Sequence, residues 1–230
     1  MIYSTTKYIG GHGTSIGGMI IDSGAFDWAA HAARQPALNA PDPSYHGAVW
    51  VEAVKPIGPV AYIIRARTVI LRDEGAALSP FNAFQLIQGL ETLPLRIARH
   101  CENAAKVVAF LSSHQDVSSV THPLTASGEA KRRADTYLPG GKGALIGFEL
   151  KGGAEAGRKF IEALEMFYHV ANIGDARSLA IHPASTTHSQ LSVEEQAATG
   201  VTPGYVRLSI GLEHIDDIIA DLSQALDRAR

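Results

Sequence analysis

A chain of 230 residues with 46% apolar side chains can bury the core of one large domain or two small ones, which excludes both a disordered segment and a minimal stapled scaffold. Lys and Arg number 20 against 23 Asp and Glu, a net charge of −3 with no basic block, so nucleic acid is not an expected partner. One cysteine, Cys101, can form neither an internal disulfide nor a thiolate metal site, which fits a reducing compartment, and no apolar run approaches the ~18 residues of a membrane span. With no signal-peptide layout at the N-terminus, a soluble cytoplasmic protein is expected.

In chain order, Met1, Ile2 and Tyr3 read as a short strand that runs at once into hydroxyls, Lys7 and glycines. Met19, Ile20 and Ile21 within Gly18 to Asp22 form a continuous apolar run, the pattern of a strand covered on both faces. Residues 34–59, with five prolines and little periodicity, read as a long loop or excursion. Ser79 and Pro80 are an N-cap and first helical position. Beyond Pro94, Ile97, Cys101, Ala104, Val108 and Leu111 keep a helical period, which predicts a buried, inert Cys101. A strand over Gly143 to Leu150 precedes a helix with Phe160, Ile161, Leu164, Phe167 and Tyr168 on one side. Val206, Leu208 and Ile210 alternate with Arg207 and Ser209, which turns Arg207 away from the apolar face. A last helix carries Ile215, Ile218, Ile219, Leu222, Ala225 and Leu226 along one stripe, with Asp216 and Asp217 near its N-terminus. The class is mixed α/β.

The densest chemical signal is residues 4–18, in which three hydroxyls precede Lys7 and glycines follow. Hydroxyls beside free amides can cradle a phosphate, and glycines let backbone approach a ligand closely. The lysine serves either as a fixed cation for that phosphate or as an amine that condenses with a carbonyl cofactor. A plain glycine turn with a surface lysine explains the stretch equally well when it is taken alone. Neither the mononucleotide loop nor the dinucleotide fingerprint fits the order of residues. Gly13-Thr14-Ser15-Ile16-Gly17 has the spacing of a serine-hydrolase elbow, but the strand lies after the serine and no helix follows it directly, the inverse of what an elbow needs. His182 and His188 lack the spacing and companions of a metal pair and read as structural hydrogen-bonding residues.

Ser4-x-Thr6-Lys7-Tyr8-Ile9-Gly10-Gly11-His12-Gly13 resembles the cofactor-lysine segment of the Cys/Met-metabolism family of pyridoxal-phosphate enzymes. Matches continue through Ser79-Pro80-Phe81-Asn82, Gly89-Leu90-Glu91-Thr92-Leu93 with Arg96 and His100, His182-Pro183-Ala184-Ser185-Thr186-Thr187-His188, and Val206-Arg207-Leu208-Ser209-Ile210-Gly211. His12-Gly13-Thr14, Asp42-Pro43-Ser44-Tyr45-His46-Gly47 and Ala171 to Leu179 look most like the O-acetylhomoserine sulfhydrylase branch. The resemblance implies the C-terminal part of the fold-type I transferase architecture: residues 1–88 as the remainder of the cofactor domain and 89–230 as the small C-terminal domain. It implies pyridoxal 5'-phosphate as cofactor, Lys7 as its covalent lysine and catalytic base, Ser4 and Thr6 at its phosphate, Arg207 clamping the substrate carboxylate and Asn172 lining that site. The implied reaction replaces acetate at Cγ of O-acetylhomoserine by sulfide or a thiol, in a homo-oligomer, a tetramer in full-length relatives. γ-Elimination, transsulfuration with cysteine, or a non-catalytic remnant are the alternatives. The resemblance starts at the family's cofactor lysine, so the expectation is a truncated or split product, and a first strand with an open edge predicts poor solubility or dependence on a partner chain.

Overall fold

The computed structural model describes residues 1–230. By contacts between backbone positions the chain forms two units, Met1–Thr5 with Ile16–Phe84, and Thr6–Ser15 with Gln85–Arg230. The lysine loop, Thr6–Ser15, goes with the second unit.

In the first unit β1 (Ile2–Ser4) pairs with β2 (Gly18–Ile20) in an antiparallel ladder that sets Ile2 opposite Ile20. This corrects the reading of a strand covered on both faces. Met19, Ile20 and Ile21 are each more than 40% exposed, because a two-stranded ladder offers no second layer to cover its apolar run. The stretch 34–59 is not a featureless loop. It is a chain of single turns: α1 (Pro36–Asn39), a 3-10 turn at Pro43–Tyr45, α2 (Trp50–Ala53) and a 3-10 turn at Lys55–Ile57. Proline stands at the first or second position of three of these, which is where the ring is tolerated, and turns this short show no sequence period. Asp42 ties them together by accepting from the Ser44 amide (3.0 Å) and from Trp50 Nε1 (3.0 Å). After them α3 (Ala61–Arg65) widens into a π-helical stretch, Ala66–Arg72, whose Thr68 carbonyl is reached by the Tyr45 hydroxyl at 3.0 Å.

The second unit takes α4 (Pro80–Ser113) from Gln85 onward; the helix starts at the predicted proline, with the Ser79 carbonyl accepting from the Ala83 amide. It runs uninterrupted through Pro94, which lies on the exposed side, where water can reach the Leu90 carbonyl that proline leaves unbonded. Of the predicted stripe, Ala104, Val108 and Leu111 are buried; Cys101 is only half-buried, a correction to its expected place in the core. The sheet runs β3-β4-β7-β6-β5, from β3 (Val117–Thr121), β4 (Leu145–Leu150), β5 (Tyr168–His169), β6 (Leu179–Ile181) and β7 (Tyr205–Ser209). All neighbours are antiparallel except β5 and β6. Three further helices precede the last one: α5 (Gly128–Tyr137), α6 (Gly153–Ala163) and α7 (Val193–Ala198), before α8 (Ile215–Arg228). Ile146, Phe148, Val206 and Leu208 point into one core with Phe160, Leu222 and Leu226. The alternation in β7 is as predicted, so Arg207 lies on the other face, between Gly147 of β4 and Ile181 of β6.

The helix carrying Phe160 and Ile161 stops at Ala163, short of the predicted Phe167 and Tyr168. Leu164 is already extended, and the amides of Glu165, Met166 and Phe167 donate to the Asp221 carboxylate instead of continuing the helix.

Buried histidines make the unit sensitive to acid. His100 is fully buried, with Nδ1 donating to the Ile210 carbonyl (2.6 Å) and no partner at Nε2. Burial pushes its pKa below the ordinary histidine value, as it does for His122. A histidine with a depressed folded pKa adds nothing adverse above its unfolded value of about 6.5, and stability falls as pH drops below it because only the unfolded chain takes the proton. The urea midpoint is therefore expected to hold between pH 7.5 and 6.5, to fall by pH 5.5, and to fall less in His100→Asn. A midpoint flat to pH 5.5 would contradict this.

Candidate functional site

Lys7 stands in the glycine-rich loop Thr6–Ser15 of the second unit, and its Nζ donates to Asn172 Oδ1 at 2.5 Å. Lys55, Lys106, Lys131, Lys142 and Lys159 all pair with carboxylates; Lys7 has a neutral amide for its partner. Arg207 Nη2 donates to the backbone carbonyl of the same Asn172 at 3.3 Å. One residue thus joins the amine to the guanidinium, and a sequence separation of 165 is closed by the loop that carries it.

That loop, residues 171–178, is held on several sides. The Gly174 amide donates to Ser209 Oγ (3.0 Å), the Ala176 amide to the Gly11 carbonyl (2.8 Å), and both Ser178 N (2.6 Å) and Oγ (2.9 Å) to the Glu213 carboxylate. Gly174 has φ of +71°, and a Cβ there would lie 2.8 Å from the Tyr8 ring, so this position needs glycine for both backbone and space. Tyr8 in turn meets the His100 ring edge-on at 5.3 Å. The lysine loop and the Asn172 loop are therefore packed on one another through their backbones, which makes the Lys7–Asn172 contact a fixed feature of the unit.

Arg207 is half-buried and lines a cavity of about 990 Å³ with Thr121, His122 and Tyr205. Burial lowers its pKa, and arginine stays charged under such a shift. Its one long hydrogen bond leaves most of its N–H fork open, the donor set that a carboxylate fits with two parallel bonds. Thr6 lies beside Lys7 in the second unit, and Ser4 closes β1 in the first. Ser15 is buried and donates to Gln85 Oε1, with no base at its hydroxyl. His182 is buried between the Pro203 carbonyl (Nε2, 2.7 Å) and Ser185 Oγ (Nδ1, 2.8 Å), with both ring nitrogens bonded. Sequence reasoning assigned no role to Tyr8, Glu213 or Ser209; Ser209 ends β7 two residues after Arg207, and Glu213 follows that strand.

These residues fit pyridoxal phosphate: a part-buried amine beside a neutral partner, hydroxyls just before it, and an open guanidinium joined to it through Asn172. The chain belongs to the Cys/Met metabolism PLP-dependent enzyme family, whose pattern matches residues 1–227. It is 53% identical to an O-acetyl-L-homoserine sulfhydrylase of Leptospira meyeri, over 98% of this chain and 52% of that protein. It is 48% identical to a homocysteine synthase of Schizosaccharomyces pombe, over 99% of this chain and 52% of that one. A solved structure from Campylobacter jejuni, assigned as an O-acetylhomoserine (thiol)-lyase and carrying a pyridoxyl-lysine monophosphate, superposes with a TM-score of 0.86 at 44% identity, over 98% of this chain and 53% of that one. The chain spans about half the length of the curated relatives it matches.

Proposed function

We propose that this chain carries the lysine and the carboxylate-binding arginine for γ-replacement: O-acetylhomoserine and sulfide, or a thiol, give homocysteine, or its thioether, and acetate. The observation that carries the reading is the convergence of Lys7 and Arg207 on Asn172. When bound, pyridoxal phosphate supplies the electron sink that lets negative charge develop at the substrate Cα. Arg207 holds the α-carboxylate in a two-bond fork, so the amino acid enters in one orientation. Lys7, as a neutral amine, takes the proton from Cα and moves protons at Cβ while acetate leaves Cγ and sulfide adds there. Asn172 holds the amine on the substrate side of its loop between these steps. Ser4 and Thr6 donate to the cofactor phosphate. In this reading residues 1–88 belong to the cofactor domain, 89–230 form the C-terminal domain, and the working form is a cytoplasmic homo-oligomer.

The test is product analysis with O-acetylhomoserine, sulfide and pyridoxal phosphate. Homocysteine and acetate should appear in equal amounts; acetate with a 2-oxo acid and no homocysteine would replace the reading by γ-elimination. Arg207→Ala should raise the half-saturating amino-acid concentration by about 10- to 10²-fold, the loss of a charge-assisted pair of about 1.5–3 kcal/mol. Arg207→Lys should recover part of it, since charge returns without the fork. Unchanged half-saturation in Arg207→Ala would remove the clamp.

A further inference from the structure

Behind the lysine loop, one guanidinium gathers four acceptors. Arg96, in the middle of α4, is 7% exposed and makes no ion pair. Its Nη1 donates to the Tyr8 carbonyl (2.7 Å), Nη2 to the carbonyls of Ile9 (3.1 Å) and Gly89 (2.5 Å), and Nε to Thr92 Oγ1 (3.1 Å). Tyr8 and Ile9 are the two residues that follow Lys7. Two glycines make the approach possible. A Cβ on Gly11, whose φ is +76°, would lie 2.8 Å from Arg96 Cζ, and one on Gly89 would lie 2.7 Å from the Gly10 carbonyl oxygen.

For stability alone this arrangement is a poor choice, because a buried cation can often be replaced by an apolar side chain without loss. What an apolar side chain cannot do is set the direction of two successive carbonyls. A planar fork can, and an ammonium can do so only in part. We infer that Arg96 is the positioning residue of the site: by holding the backbone at residues 8 and 9 it fixes where the Lys7 amine stands. This rests on the reading of Lys7 as the cofactor lysine. A displacement of about 1 Å at a reacting group costs about 10²-fold in rate, so the effect of releasing the loop is measurable.

The experiment uses the full chain with pyridoxal 5'-phosphate as probe. Timed incubation, borohydride reduction and peptide mass spectrometry give the rate of modification at Lys7, with the exposed Lys106 as internal reference. Arg96→Met is expected to slow Lys7 by about 10²-fold and Arg96→Lys by about 10-fold, with Lys106 unchanged. Gly89→Ala, whose methyl would press on the Ile9 and Gly10 carbonyls while the Arg96 side chain is kept, should act in the same direction, and it decides together with Arg96→Lys should Arg96→Met fail to fold. Phe160→Ala, in the core of the same unit, controls for destabilisation. Equal Lys7 rates in the wild-type chain and the variants would overturn the positioning role and leave Lys7 as the cofactor lysine; so would a slowing that Phe160→Ala reproduces at equal loss of melting temperature. A wild-type chain in which Lys7 reacts no faster than Lys106 would overturn the cofactor reading and the positioning role with it.

Discussion

Lys7→Ala is expected to lower γ-replacement by at least about 10³-fold and to abolish pyridoxyl modification at position 7, with the fold intact. The chemical loss is large because one amine is both the covalent attachment point and the proton carrier, and a positioned general base alone contributes about 10²–10⁴-fold. The structural loss is small because the amine makes one hydrogen bond, to Asn172, and no ion pair, worth about 0.5–1.5 kcal/mol. The two parts separate experimentally: turnover and peptide mapping report the first, the urea midpoint the second. Modification that moves to Lys142 or another lysine with turnover retained would show that the attachment point had been misassigned. A small primary amine added to Lys7→Ala should restore part of the turnover, since the missing group is a proton carrier of the same chemistry.

Asp221→Ala is expected to destabilise the second unit by about 3–5 kcal/mol, from three backbone donors, one buried and two part-buried, left at about 1–3 kcal/mol each with partial rehydration. Its carboxylate accepts from the amides of Glu165 (2.9 Å), Met166 (2.9 Å) and Phe167 (3.2 Å), and Gln224 Nε2 donates to it at 2.9 Å. Asp221 is 6% exposed, which limits how far water can take the carboxylate's place. Domains are stable by only about 5–15 kcal/mol, which makes this a large share. Asp221→Asn keeps one oxygen but turns an NH₂ towards amide donors, so it should recover less than half. Urea titration of the three proteins settles the order; Asp221→Ala within 1 kcal/mol of wild type, roughly the size of one ordinary hydrogen bond, would show that the 164–167 turn holds without it.

Periodicity carried most of the legible structure. The β7 alternation placed Arg207 away from the core, and the helical stripes placed α4 and α8, because long elements repeat one geometric constraint many times. The single turns of 34–59 repeat nothing, and the apolar run at Met19–Ile21 says that neighbours are wanted without saying which are present. Lys7, Asn172 and Arg207 were legible through the resemblance, not through spacing. Arg96 and Asp221 were not legible as buried anchors at all. A charged residue inside an amphipathic helix is ordinarily solvated, and only the acceptors or donors facing it in three dimensions reveal the exception.

The wide-turn stretch Ala66–Arg72 bears on which length variants the first unit tolerates. A π-helical turn holds one residue more than an ordinary one. Deleting a single residue there would return the spiral to regular winding without breaking it, with the flanking turns kept near their present orientation and the carbonyls inside the stretch re-aimed. The Thr68 carbonyl would swing off the Tyr45 hydroxyl. Single-codon deletions in this stretch should therefore preserve helix content and register their damage in the aromatic and acidic contacts upstream.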